Sequence, residues 1–128
     1  MESNSLKVLF GDDSATVRMM LEKYLENEPY EASSASDGRE TLKKFQEEKP
    51  DVVILDLQMP VLDGFSVCKA IKEDSNVPVI ILTSMDEESD RDWALSQGAD
   101  EYLTKPVDKE ELLETIRGVT VSNSGGGR

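Results

Sequence analysis

Two stretches of the chain are apolar at every position: Val52-Val53-Ile54-Leu55, which runs into Asp56, and Val79-Ile80-Ile81-Leu82, which runs into Thr83-Ser84. Short unbroken runs rich in β-branched residues predict strands buried on both faces of a parallel sheet. Leu6-Lys7-Val8-Leu9-Phe10 and Glu101-Tyr102-Leu103-Thr104 predict two further strands. A fifth, Tyr30 to Ala35, is short, with small and polar residues, the character of a sheet edge.

Between these runs the apolar spacing changes to that of helices. Val17, Met20, Leu21, Tyr24 and Leu25 form one apolar stripe, capped by Asp13 or Ser14 and ended by Asn27-Glu28-Pro29. Asp37-Gly38-Arg39-Glu40 resembles a capping box, opening a helix that turns Leu42 and Phe45 inward and stops at Pro50. Phe65, Cys68 and Ile71 mark a third helix, and Leu112, Leu113, Ile116 and Thr120 the inward stripe of a last one. The fourth, about Glu87 to Gln97, has few apolar residues beyond Trp93, Ala94 and Leu95, so it is expected to be held loosely. Gly98 is its expected C-terminal stop.

Five strands alternating with five helices predict an α/β fold, a parallel sheet with helices on both faces. Placing the most apolar strands inside and the second and fifth at the edges, with right-handed crossovers, gives the flavodoxin-like order 2-1-3-4-5. In such sheets the working site lies beyond the carboxyl ends of the strands, where the order reverses between strands one and three. Asp12, Asp13 and Asp56 all fall there.

Composition narrows the function classes. At 128 residues the chain suits one domain, expected over 1–121, with 122–128 a flexible Gly/Ser-rich tail or the start of a linker. A formal net charge of −13 without a basic cluster disfavours nucleic-acid binding and favours a cation or a cationic partner. The lone Cys68 excludes an internal disulfide and is expected to be a small core hydrophobe. No apolar run approaches the ~20 residues that span a bilayer, and Met1-Glu2-Ser3-Asn4-Ser5 is not a signal segment. The expected location is the cytoplasm.

Three convergent carboxylates resist full ionisation without a counter-charge. With no histidine in the chain, an all-oxygen site suits a hard divalent cation such as Mg²⁺. At the same end of the sheet stand Thr83, a hydroxyl, and Lys105, a point cation that can meet an anion. Acids, metal, hydroxyl and lysine together make a site for a phosphoryl group, and a carboxylate can itself be the nucleophile, forming an aspartyl phosphate.

From about Leu6 to Val119 the chain resembles the receiver domains of two-component response regulators. The resemblance rests on Asp12-Asp13-Ser14, Leu55-Asp56, Met59-Pro60 with Asp63-Gly64, Thr83-Ser84 and Lys105-Pro106, all in order. Chemotaxis receivers have the strand order 2-1-3-4-5, so that order and the resemblance are not independent. The resemblance implies that Asp56 accepts a phosphoryl group from a sensor histidine kinase or a histidine phosphotransfer protein. It implies Mg²⁺ held by Asp12 (through water), Asp13, Asp56 and the backbone carbonyl of Gln58. Thr83, the Ser84 backbone and Lys105 would bind the phosphoryl group, and Lys105–Pro106 would be a cis peptide. Thr83 and Tyr102 would form the switch, Tyr102 turning inward as Thr83 is drawn to the phosphoryl group, and the fourth helix, fifth strand and fifth helix would present the result to a downstream protein. Such a domain is a switch, not an enzyme beyond promoting its own phosphorylation and dephosphorylation.

Other readings stay beside these. Asp63-Gly64 fits turn chemistry and helix entry. Tyr102 could be a plain edge-strand aromatic, and Trp93 either packs its helix or anchors a partner. Gly11 departs from the larger residue common before the acid pair and is expected to loosen that loop, while Gln58 and Met85 occupy positions that tune phosphoryl lifetime in the family. A haloacid-dehalogenase-type phosphatase also uses a strand-end aspartyl nucleophile, but wants a second Asp where Gln58 stands. The stretch from Trp93 to Val107 resembles stand-alone receivers of pilus-motility and chemotaxis systems; the alternative is a receiver excised from a multidomain regulator. Glu110 stands where receivers of the winged-helix transcription class usually carry Arg for dimerisation.

Overall fold

The computed structural model describes residues 5–126, with side chains described through residue 120. Strands β1 (Leu6–Gly11), β2 (Tyr30–Ala35), β3 (Val52–Leu55), β4 (Val79–Thr83) and β5 (Glu101–Thr104) alternate with helices α1 (Ala15–Leu25), α2 (Gly38–Glu48), α3 (Gly64–Asp74), α4 (Glu88–Ser96) and α5 (Lys109–Gly126). The strands pair in parallel in the order β2-β1-β3-β4-β5. Central β3 and β4 are buried at every position, which is why their sequences do not alternate.

The sheet separates two cores. Val8, Phe10, Val52, Ile54, Ile80 and Leu82 point to one face, under α1 and α5; Leu9, Val53, Leu55, Val79 and Ile81 point to the other, under α2, α3 and α4. Burying one such side chain stabilises the fold by about 1.5–3 kcal/mol. The expected stripe of α1 is present, with Leu21 and Leu25 buried and Val17, Met20 and Tyr24 packed at its margin. On α5 the inward positions are Leu112, Leu113, Ile116 and Val119. Thr120, expected inward, is half-buried at the margin of the stripe and donates its hydroxyl to the Ile116 carbonyl at 2.8 Å, satisfying a polar group that the core would not. The helical backbone enters the Gly/Ser-rich stretch and reaches Gly126. The side chains beyond 120 lie outside the described residues, and with them the boundary expected at 121.

Side chains start four of the helices. Ser14 accepts from the Val17 N–H (3.2 Å), Asp37 from Glu40 (2.8 Å), Asp63 from Ser66 (2.9 Å) and Asp108 from Glu111 (2.8 Å). Glu40 reaches back to the Ser36 N–H, one residue before the cap, so the capping box closes in shifted form. Helix α4 has no side-chain cap bond at its N-cap Glu87 and is followed, after its C-cap Gln97, by Gly98, whose φ of 107° is the left-handed conformation anticipated for it. Among the described residues no helix is long and apolar enough to cross a membrane.

Gly11 serves packing, not loop freedom. It is buried at the end of β1, and a Cβ there would lie 2.4 Å from the Thr41 hydroxyl of α2. Thr41 is fully buried and donates that hydroxyl to the Asp37 carbonyl at 2.7 Å, so a side chain at position 11 would displace a satisfied group.

Candidate functional site

The β ladder carries the acids to the end of the sheet. Asp12 N–H donates to the Ala35 carbonyl and Asp56 N–H to the Gly11 carbonyl, each at 3.0 Å, so the two residues leave β1 and β3 side by side. Their carboxylates are nearly fully buried and are held by the same device. In each, Oδ1 accepts the N–H of the residue two further on: Ser14 for Asp12 (2.9 Å) and Gln58 for Asp56 (3.0 Å). In each, Oδ2 lies 2.8 Å from the Lys105 ammonium. Asp13 is exposed beside them, and one oxygen from each of the three acids falls within 4.8 Å of the others.

Lys105 arrives from the adjacent edge. Its N–H extends the β4–β5 pairing by donating to the Thr83 carbonyl at 2.8 Å, and its peptide bond to Pro106 is cis, as expected. Burial pushes the Asp12 carboxyl above its usual value, against the opposing pull of Lys105 and the Ser14 N–H. Burial acts to lower the Lys105 ammonium, but its hydrogen bonds and charge contacts with Asp12 and Asp56 outweigh it, and the net shift is upward. Lys105 is therefore the resident counter-charge of the two buried acids.

The hydroxyl side is built by the loop after β4. Thr83 is fully buried, and its hydroxyl oxygen accepts a long hydrogen bond from Met85 N–H at 3.4 Å. Ser84 donates its hydroxyl to the Gln58 side-chain carbonyl at 3.1 Å, tying the loops after β3 and β4 together across the site. Tyr102 already lies inward, its ring buried and its hydroxyl donating to the Met85 carbonyl at 2.7 Å. Burial, with Asp90, Asp86 and Asp56 nearby, raises the Tyr102 phenol above its ordinary value, so it stays a donor.

Asp63 and Gly64 serve the entry into α3. Asp63 is the cap, and a Cβ on Gly64 would lie 2.2 Å from the Asp56 carbonyl oxygen, so only glycine lets α3 start this close to the strand end. Cys68 is buried in the core and burial pushes its thiol up to about 11, which makes it an unreactive hydrophobe. Trp93 is 55% exposed and meets the partly buried Phe65 edge-on, with ring centroids 6.4 Å apart. It packs α4 against α3 while leaving much of its indole open.

The structure thus brings together Asp12, Asp13, Asp56, Gln58, Thr83, Ser84 and Lys105. Three contacts were not read from the sequence: the Gln58–Ser84 bond, the packing of Thr41 on Gly11, and Arg18, whose guanidinium donates to the Asp12 carbonyl at 2.6 Å. Arg18 follows the Ser14 cap by one helical turn, which was the available signal.

Residues 8–117 match the family model described as the response regulator receiver domain. The chain belongs to that family. It is 49% identical over 113 residues to a probable transcriptional regulator, ycf27, of Guillardia theta, covering 88% of this chain and 44% of that protein. It is 42% identical over 116 residues to protein PilH of Pseudomonas aeruginosa, covering 88% of this chain and 96% of that one. The chain spans about half the length of its ycf27 relatives, and nearly all of PilH. Among solved structures it resembles the chemotaxis response regulator CheY4 of Vibrio cholerae, with a TM-score of 0.85 at 37% identity, covering 91% of this chain and 99% of that one. A CheY-like receiver of Methanospirillum hungatei gives a TM-score of 0.90 at 26% identity, covering 96% and 99%. The receiver fold and the two-component signalling class are therefore those of this chain; the acid cluster, all oxygen and closely grouped, fits Mg²⁺.

Proposed function

We propose that this receiver accepts a phosphoryl group on Asp56 from the phosphohistidine of a kinase or phosphotransfer protein, and that the product alters binding of a downstream protein. The observation that carries the reading is Lys105, 2.8 Å from both Asp12 and Asp56, with Thr83 on the neighbouring strand end. In the transfer a carboxylate oxygen of Asp56 forms a bond to phosphorus as the phosphorus–nitrogen bond to the donor imidazole breaks. The bonding pair leaves with the imidazole, which takes a proton.

Asp12, Asp13, Asp56 and the Gln58 carbonyl would hold Mg²⁺, which when bound neutralises charge on the transferring group. The protein's own part is positioning and charge. The Gln58 N–H fixes one oxygen of Asp56 and so directs the other. The Lys105 ammonium, already at Asp56, pairs with the phosphoryl oxygens that arrive there. The new group carries nearly two negative charges; a Thr83 hydroxyl turned to donate to it would leave Met85 N–H, loosening the loop that Tyr102 holds by the Met85 carbonyl. Helix α4, uncapped and burying only Ala94, is the element that such loosening moves most cheaply, so α4, β5 and α5 form the reading face.

Incubation with acetyl phosphate and Mg²⁺ is expected to add one phosphoryl mass to the unaltered chain and none to Asp56→Asn. An unmodified wild-type mass overturns the reading.

A further inference from the structure

Asp13 differs from its two neighbours in how it is held. Asp12 and Asp56 are each fixed by a backbone N–H and by Lys105, whereas among the described residues no hydrogen bond reaches the Asp13 carboxylate. Its direction is set by the main chain that carries it, and above all by the Asp12–Asp13 peptide plane. That plane is anchored through the Asp12 carbonyl, which accepts from the Arg18 guanidinium at 2.6 Å. Ser14 caps the helix from which Arg18 reaches back, so cap, helix and guanidinium close a small ring around the acid pair.

We propose that Arg18 is a positioning residue for the metal site: by holding the Asp12 carbonyl it aims the Asp13 carboxylate at the cluster and so tightens Mg²⁺ binding. The proposal rests on the reading of Asp12, Asp13 and Asp56 as metal ligands. Two physical effects of Arg18 have opposite signs here, which makes it decidable. As a cation beside a divalent-ion site, Arg18 repels Mg²⁺, and its removal on charge grounds alone would tighten binding. As an orienting partner it acts like the outer-shell groups of other metal sites, whose loss weakens binding roughly tenfold or more. The geometry favours the second, because the guanidinium is spent on a neutral carbonyl and, among the described residues, no hydrogen bond tethers the Asp13 carboxylate that it steers.

The test is Mg²⁺ titration by calorimetry on the full chain, with thermal unfolding of each protein in EDTA beside it. Arg18→Gln is expected to raise the Mg²⁺ dissociation constant roughly tenfold. Arg18→Lys, which keeps one donor for the carbonyl, should recover most of that loss, although its charge is the same as that of Arg. Unchanged or tighter binding in Arg18→Gln overturns the role of Arg18, as does failure of Arg18→Lys to recover when both variants unfold at the wild-type temperature. If Arg18→Gln does not fold, Arg18→Lys and Arg18→Met carry the same comparison. No Mg²⁺ binding by the unaltered chain would remove the metal site itself, and this proposal with it; loss confined to the variants bears on Arg18 alone.

Discussion

Helices α4 and α5 lie on opposite faces of the same edge strand, β5, and are held very differently. Helix α5 buries Leu112, Leu113, Ile116 and Val119 and is capped by Asp108. Helix α4 buries Ala94 alone, has no side-chain cap and turns Trp93 outward. At about 1.5–3 kcal/mol per buried aliphatic side chain and about 1 kcal/mol per cap, the two differ by several kcal/mol in what anchors them. The proposed switch uses this inequality: one side of β5 would keep Lys105 in place, and the other would move when a phosphoryl group draws Thr83.

The largest expected effect tests the firm side. Ile116→Ala should cost about 4 kcal/mol of global stability in urea unfolding, as truncation of a fully buried aliphatic does; a loss under about 1 kcal/mol would erase the contrast with α4. Lys105→Met comes next, at about 3 kcal/mol, because it leaves two buried carboxylates without their cation. Its pH dependence has a defined sign. The folded-state pKa of Lys105 is raised above 10.5, so its stabilisation is whole below that pH and is lost as pH rises through the folded value. The folded-state pKa of Asp12 is raised above 3.8, so the cost of burying its charge falls as pH drops through the folded value. The stability gap between wild type and Lys105→Met should therefore narrow both in acid, as Asp12 takes up its proton, and in strong base, as pH rises through the raised Lys105 value. A gap that stays constant across pH would assign the loss to packing.

Smaller effects probe the loose side. Tyr102→Phe removes one hydrogen bond to the Met85 carbonyl and should cost about 1 kcal/mol. The same change should speed amide exchange in the loop after β4 more than anywhere in α5. Trp93→Ala should change global stability by less than about 0.5 kcal/mol while raising exchange across α4; slow exchange in α4 equal to that of α5 would contradict the comparison at its root.

The weakness of α4 was visible in the sequence, because a helix with only Trp93, Ala94 and Leu95 to offer cannot have a broad apolar face. The strands were visible for the opposite reason, since runs such as Val79 to Leu82 leave little else to form. The acids, Thr83 and Lys105 could be assigned to one site because strand ends converge in a parallel sheet. Which groups touch was not legible. The Lys105–Asp56 pair spans 49 residues, and the inward ring of Tyr102 and the Thr41–Gly11 contact depend on packing that no local period encodes. On α5 the structure adds Val119 to the predicted stripe beside a half-buried Thr120, a small residue of the same face that spacing alone did not single out.

The close approach of α2 and α3 to the strand ends bears on how this molecule tolerates change. A survey of all single substitutions, scored by signalling output, would find Gly11 and Gly64 nearly as intolerant as Asp56, though neither glycine offers a reactive atom. On the proposed function the intolerance at Asp56 is chemical, and Asn should fold normally but fail to signal. At the two glycines it is spatial, and even Ala should lower both abundance and output. Scoring abundance beside output would separate the residues that perform the reaction from those that leave room for it.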